Sequence, residues 1–109
     1  MSDQIPIQHV VLLRFPADLD AADDKSIRTK VAAWPRAMPM LTGLRFGSDL
    51  TGIRSQGYQY LLFTEFASEA DLDAYRGHPV HQEFLAWIRD RGVETLAFDY
   101  LLDANTAHI

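Results

Sequence analysis

Ile7-Gln8-His9-Val10-Val11-Leu12-Leu13-Arg14-Phe15 reads as a strand in which both alternations are largely apolar. Odd positions carry Ile7, His9, Val11, Leu13 and Phe15. Even positions carry Val10 and Leu12 before Arg14. A half-exposed strand alternates apolar with polar, so this one is expected to be covered on both sides. Tyr58 to Phe66 repeats the pattern: Tyr60, Leu62 and Phe66 share a face with Thr64, and Leu61 and Phe63 take the other. Two further strands are expected. In Leu41 to Ser48, Leu44 and Phe46 alternate with Gly43, Arg45 and Gly47. In Val93 to Leu102, Leu96, Phe98, Tyr100 and Leu102 share one face.

Helical spacing fills the intervals. Ile27, Val31, Trp34 and Met38 predict a helix from the early twenties to the mid thirties. It follows Pro16 and the acidic run Asp18 to Asp24, whose carboxylates favour a helix start. Pro35 is expected to tighten or kink its last turn. Residues 49–57 are polar and glycine-bearing and read as a loop. Ser68, with Asp71 three residues on, caps a short helix carrying Leu72 and Tyr75. Gly77 suits its end and Pro79 the first position of the next helix. Phe84, Leu85 and Ile88 give that helix a buried stripe, and Gly92 ends it.

The order is therefore β-α-β-β-α-β, with the second helical part broken in two. This is a double βαβ unit, the ferredoxin-like sandwich of the α+β class. Its helices cover one face of the sheet only. Strands one and three need cover on both, and a second copy of the same sheet is the simplest cover. A symmetric homodimer is expected, its two sheets packed into an α+β barrel.

Composition narrows the function classes. The 109 residues are 48% hydrophobic, enough for a single domain over residues 1–109 with a core from about 7 to 101. Residues 103–109 read as a loosely held tail. A net charge of -5 with scattered basic residues argues against nucleic acid and anionic lipid as partners. The lack of cysteine excludes disulfides, zinc–thiolate sites, iron–sulfur clusters and thiol nucleophiles. Met1-Ser2-Asp3-Gln4 lacks a signal pattern and no apolar run approaches membrane-spanning length, so a soluble cytoplasmic protein is expected.

The chemistry concentrates in Tyr75-Arg76-Gly77-His78-Pro79-Val80-His81. His81 falls in the first turn of the helix that Pro79 opens. The positive helix end disfavours imidazolium, so His81 is expected to be neutral near pH 7. A neutral imidazole beside the Tyr75 phenol is the raw material of general acid–base catalysis. Such a base needs a partner for its other nitrogen and an enclosed site. His9 supplies the partner if strand one passes under this helix. The plainer readings make His81 a capping and packing group, Tyr75 a core ring with its hydroxyl at the rim, and His9 a satisfied core histidine.

Other constellations read more weakly. His78 precedes proline, so its extended backbone turns its side chain elsewhere and its role reads as structural. His78 and His81 could share a metal ion with His9, but no carboxylate joins the set, and neither metal nor cofactor is expected. Trp34, Trp87, Phe84 and Phe63 line a pocket or form plain core. Ser26, Ser55 and Ser68 lack a triad context, and Gly43, Gly47 and Gly52 form no phosphate loop. Asp18, Asp20, Asp23 and Asp24 suit a solvated helix start better than a calcium loop, which needs a closing glutamate.

Gln8-His9-Val10-Val11-Leu12-Leu13-Arg14-Phe15 resembles the opening strand of the stress-responsive dimeric α/β-barrel (Dabb) family. Phe66 followed by Ala74-Tyr75-Arg76-Gly77-His78-Pro79-Val80-His81 resembles its second signature, and Phe98-Asp99-Tyr100 its closing strand. The likeness runs from Ile7 to Leu101. It implies a homodimeric ferredoxin-like barrel with a pocket between sheet and helices in each subunit. Most members have no established reaction, and plant members are linked to heat and salt stress. One plant member is a polyketide cyclase that closes a linear tetraketide by aldol condensation without a cofactor. Likeness to it implies His81 as base, Tyr75 as its assistant and His9 as the group orienting the base. A second pocket tyrosine of that enzyme falls at Val31 here, which implies a more apolar pocket and a different substrate.

Two functions follow as expectations. One is a cofactor-independent cyclase or lyase acting on a polyketide-like or phenolic carbonyl compound. The other is a non-enzymatic barrel that binds an apolar ligand or serves a structural role under stress. The fold also hosts cofactor-free monooxygenases and haem-degrading enzymes, but only by analogy. The single asparagine, Asn105 in the tail, argues against the monooxygenase reading.

Overall fold

Eight elements run in the order β1 (Ile7–Arg14), α1 (Ala21–Ala32), α2 (Trp34–Ala37), β2 (Leu41–Ser48), β3 (Tyr60–Phe66), α3 (Glu69–Gly77), α4 (Pro79–Asp90) and β4 (Glu94–Leu101). The computed structural model describes residues 4–16 and 19–107. Asp18 of the acidic run, the opening Met1-Ser2-Asp3 and the last two tail residues lie outside the described residues. The strands form one antiparallel sheet in the order β2-β3-β1-β4. This is the ferredoxin-like α+β fold expected from the element order.

The two strands with apolar alternations are the two central ones. β1 pairs with β3 through His9↔Thr64 and Leu13↔Tyr60, and with β4 through His9↔Asp99. Odd residues of β1 face the helices: Ile7 and Leu13 pack with Tyr60, Leu62 and Phe66 of β3. Ile27, Val31, Trp34, Met38, Leu72, Tyr75, Phe84 and Ile88 close over them from the helices. Each fully buried side chain of this size contributes about 1.5–3 kcal/mol. Trp34 sits at the centre, edge-on to Phe84 at 5.0 Å and to Tyr75 at 5.8 Å between ring centroids.

The opposite alternation forms an uncovered apolar face. Val10 and Leu12 are only half-buried there, while Leu61, Leu96 and Phe98 are 40%, 53% and 67% exposed. The stripe expected in β4 thus points away from the helices, and an edge strand leaves both of its faces accessible. Leu102 is not part of that stripe. It lies past the strand end, where its N–H donates to the Pro6 carbonyl at 2.8 Å.

Capping follows the sequence closely. Asp20 accepts from the Asp23 N–H at 2.7 Å and starts α1. Ala33 separates α1 from α2, with Pro35 in the first turn of the short second helix, where a missing N–H costs nothing. Ser68 accepts from the Asp71 N–H at 3.2 Å and starts α3. Gly77 is the last residue of α3 and takes no left-handed conformation. The break is made one residue later by His78, extended at φ −67°, ψ 138°, as a residue before proline prefers. α4 ends differently, with Gly92 left-handed at φ +68°. The Gly92 N–H reaches the Arg89 carbonyl and the Val93 N–H the Ile88 carbonyl, both at 3.0 Å. That pair is a Schellman end, for which glycine carries no side-chain penalty. Among the described residues, no helix is long and apolar enough to cross a membrane.

Candidate active site at the α3–α4 break

The break places three residues of one heptapeptide in different roles. His78 Nδ1 accepts from the Val80 N–H at 3.1 Å, so this side chain is the N-cap of α4. His81, three residues on, is buried within the first turn. Tyr75, from the last turns of α3, packs against it with ring centroids 4.2 Å apart. Trp34 backs both rings, at 5.8 Å from Tyr75 and 5.9 Å from His81.

Hydrogen bonding fixes the tautomer of His81. Its Nδ1 lies 3.2 Å from the Arg76 carbonyl oxygen. A carbonyl can only accept, so Nδ1 carries the proton and Nε2 keeps the lone pair. Burial pushes the His81 pKa below the ordinary histidine value, only partly opposed by the bond to Arg76. Nearby His9, Arg76 and His78 push it the same way as burial. The ring is therefore neutral near pH 7. The sequence reading reached that state from the helix dipole; in the structure the leading cause is desolvation.

Tyr75 is wholly buried, and its hydroxyl finds no hydrogen-bond partner among the described residues. Burial also raises its pKa well above the ordinary phenol value. It remains an O–H donor at every working pH. Buried polar groups are almost always paired, so an orphaned phenol wants an explanation such as a ligand.

His9 comes to the same region from β1 and is 7% exposed. Its ring sits 6.0 Å from that of Tyr75. Its Nδ1 bonds Oδ1 of Asp99, the residue opposite it on β4. Oδ2 of Asp99 accepts from Arg76 Nη2 at 2.9 Å. No hydrogen bond among the described residues joins His9 to His81: each imidazole has its own partner. Sequence alone assigns no role to Asp99 or Arg76. The available signal was a carboxylate on the helix-side alternation of β4, among Thr95, Ala97 and Leu101.

These groups line a cavity of about 340 Å³ between sheet and helices. His9, Tyr75, Arg76, His81 and Gln82 supply its polar wall, and Val11, Leu13, Leu62, Phe84, Leu85 and Ile88 most of the rest. A few placed polar groups in an apolar cleft of this size is the usual form of a small-molecule site. Of the four aromatic residues considered from sequence, Phe84 lines this cavity, whereas Trp34 is core. A larger concavity of about 580 Å³ lies between the uncovered sheet face and the 49–57 loop, lined by Leu12, Leu61 and Phe63 among others. No histidine among the described residues lines it, and Leu12, Leu61 and Phe63 belong to the face expected to meet a second copy. Among the described residues, no group of three or more histidines and carboxylates is placed to hold a metal ion.

Residues 7–102 match the family model described as Stress responsive A/B Barrel Domain, Dabb. No curated protein matches the chain. Among solved structures, a dimeric ferredoxin-like protein of unknown function from Thermobifida fusca is 25% identical, with a TM-score of 0.79 over 94% of this chain and 95% of that one. A hydroxynitrile lyase from Passiflora edulis is 18% identical, with a TM-score of 0.80 over 94% of this chain and 97% of that one. A Dabb family protein with a ferredoxin-like fold from Mesorhizobium loti is 23% identical, with a TM-score of 0.68 over 89% of this chain and 96% of that one. At the two lower identities the likeness is one of fold.

Proposed function

This chain belongs to the stress-responsive A/B barrel domain family, and from that premise we propose a homodimeric barrel with a small-molecule acid–base site in each subunit. The reaction class is cofactor-independent carbon–carbon chemistry, a cyclase or lyase step on a polyketide-like or phenolic carbonyl compound. The observation that carries this reading is the Tyr75 hydroxyl, buried and unpartnered among the described residues beside a neutral His81. A hydroxynitrile lyase on the same fold lends support to the lyase class.

In this proposal His81 Nε2 takes a proton from carbon α to a substrate carbonyl. The electron pair of that C–H bond forms the enolate C=C bond as the carbonyl π pair moves onto oxygen. The Tyr75 O–H donates to the developing enolate oxygen, in a pocket where a hydrogen bond to growing charge is worth more than in water. The enolate carbon then bonds to a second carbonyl carbon, and the new alkoxide recovers the proton from the His81 imidazolium. Atoms and electrons balance with no cofactor. His9 orients the reacting groups through the Tyr75 ring it packs against.

The dimer is supported by the uncovered apolar face and by dimeric ferredoxin-like proteins among the similar structures. A second reading, apolar-ligand binding without turnover, is favoured by the aliphatic walls around Leu13, Leu62 and Ile88. A thermal-shift panel of phenolic and polyketide-like compounds, run on wild type and His81→Ala, tests both. Ligand at about a hundredfold its Kd stabilises the native state by roughly 2.7 kcal/mol. Hits that weaken in the variant and turn over in wild type support the enzyme. Hits without turnover support the binding barrel, and no hits across the panel remove the site.

A further inference from the structure

Arg76 is linked to both imidazoles of the pocket, to His81 through its backbone carbonyl and to His9 through its side chain by way of Asp99. Its carbonyl accepts from His81 Nδ1 at 3.2 Å and from Gln82 Nε2 at 2.6 Å. Both lone pairs of that oxygen are thereby engaged, which fixes its direction. Its guanidinium donates to Asp99 Oδ2 at 2.9 Å, and the other oxygen of Asp99 holds His9 Nδ1. A second carboxylate, Asp73, lies 3.5 Å from Nη1 on the outer side. Among the described residues, Arg76 is also the one permanently charged residue of the pocket wall.

We propose that Arg76 is the positioning residue that sets both histidines as Nδ1–H tautomers, leaving each with Nε2 as its free acceptor. The inference rests on reading His9 and His81 as the working groups of the pocket. On the His81 side any residue supplies the carbonyl. On the His9 side the side chain matters, because the guanidinium holds the carboxylate that bonds His9. Asp99 is more than a third exposed and sits on an edge strand. A carboxylate held by a single imidazole there is free to turn toward water. A guanidinium clamped on its second oxygen removes that freedom, because charge-assisted bonds to a planar fork impose direction as well as energy. The site then presents two acceptor nitrogens and one phenolic donor. That set suits a ligand that carries two hydroxyl or acidic C–H groups beside a carbonyl.

The test is nitrogen NMR of the histidine rings at about pH 9, above the ordinary imidazole value of about 6.5. It needs no substrate, so failure of a ligand screen and failure of this inference remain distinct. In wild type, His9 and His81 each show the two widely separated ring-nitrogen shifts of a single neutral tautomer. Asp99→Ala defines complete loss for His9. Arg76→Leu is expected to move the His9 shifts toward each other, most of the way to that reference, while His81 stays unmoved because the carbonyl remains. Arg76→Lys restores part of the separation. Arg76→Gln repeats the test should the leucine variant fold poorly. Unchanged His9 shifts in Arg76→Leu overturn the inference, and so does an equal disturbance of His9 and His81.

Discussion

Tyr75 and His81 stand with ring centroids 4.2 Å apart across a helix break that His78 and Pro79 create between them. The break lets two residues of one short motif face each other from different helices. The phenol oxygen has no partner among the described residues, and a working tyrosine and a packing one differ in what that oxygen does. Tyr75→Phe keeps the ring and removes the orphaned oxygen. Stability is expected to stay within about 1 kcal/mol of wild type or to rise, since an unsatisfied buried hydroxyl is a cost. Ligand binding or turnover is expected to fall. Urea denaturation beside the ligand assay checks both. A loss above about 2 kcal/mol with binding intact would make the hydroxyl structural.

His81→Ala separates base from core in the same way. The residue is buried and packs its ring against Trp34 and Tyr75, so its loss is expected to cost about 0.5–3 kcal/mol, the ordinary range for a point variant. Turnover should vanish while the circular dichroism spectrum stays native. A variant that melts early yet converts substrate at the wild-type rate per folded molecule contradicts the assignment.

Acidification has a predictable sign at the same ring. The pKa of His81 lies below its unfolded value because burial disfavours imidazolium. Between those two values the unfolded chain binds more protons than the folded one, so stability rises with pH in that window. The contribution is intact above the ordinary value of about 6.5 and is lost as pH falls toward the lower folded-state value. Denaturant midpoints from about pH 8 to about pH 5 should therefore drop more steeply for wild type than for His81→Gln. Equal slopes would mean that His81 titrates as it does in the unfolded chain. The same depression keeps the His81 imidazole neutral into mildly acid solution, as the proposed mechanism requires of a base.

Much of this arrangement was legible in the sequence, for local reasons. The cap at Ser68, the start at Pro79 and the end at Gly92 are short-range chemistry, and each stands where the residues imply; within the acidic run that marks the start of α1, the cap itself is Asp20. The apolar alternations of β1 and β3 imply cover on both faces, and these are the two central strands of the sheet. Asp99 escaped notice because its meaning is set by β1–β4 register, which brings it opposite His9 from ninety residues away. The role of the Arg76 carbonyl is equally hidden, since a backbone acceptor leaves no trace in residue type. His9 was expected to orient His81 directly; sequence spacing carries no information on which nitrogen faces which partner.

The uncovered sheet face predicts a two-fold interface. Phe98 is 67% exposed and Leu96 53%, on an edge strand that contributes nothing to the helix-side core from this alternation. A two-fold interface meets each of these residues twice. Burying one phenylalanine is worth about 1.5–3 kcal/mol, so two copies supply roughly 3–6 kcal/mol. Phe98→Asp is thus expected to weaken association by about two to four powers of ten, more if the carboxylates are trapped facing each other. Sedimentation velocity at micromolar concentration should show a dimer for wild type and a monomer for the variant. Far-ultraviolet circular dichroism should match between the two, because the subunit core does not use this ring. A wild-type protein that sediments as a monomer would leave the open face without its expected cover and remove the dimer from the proposal.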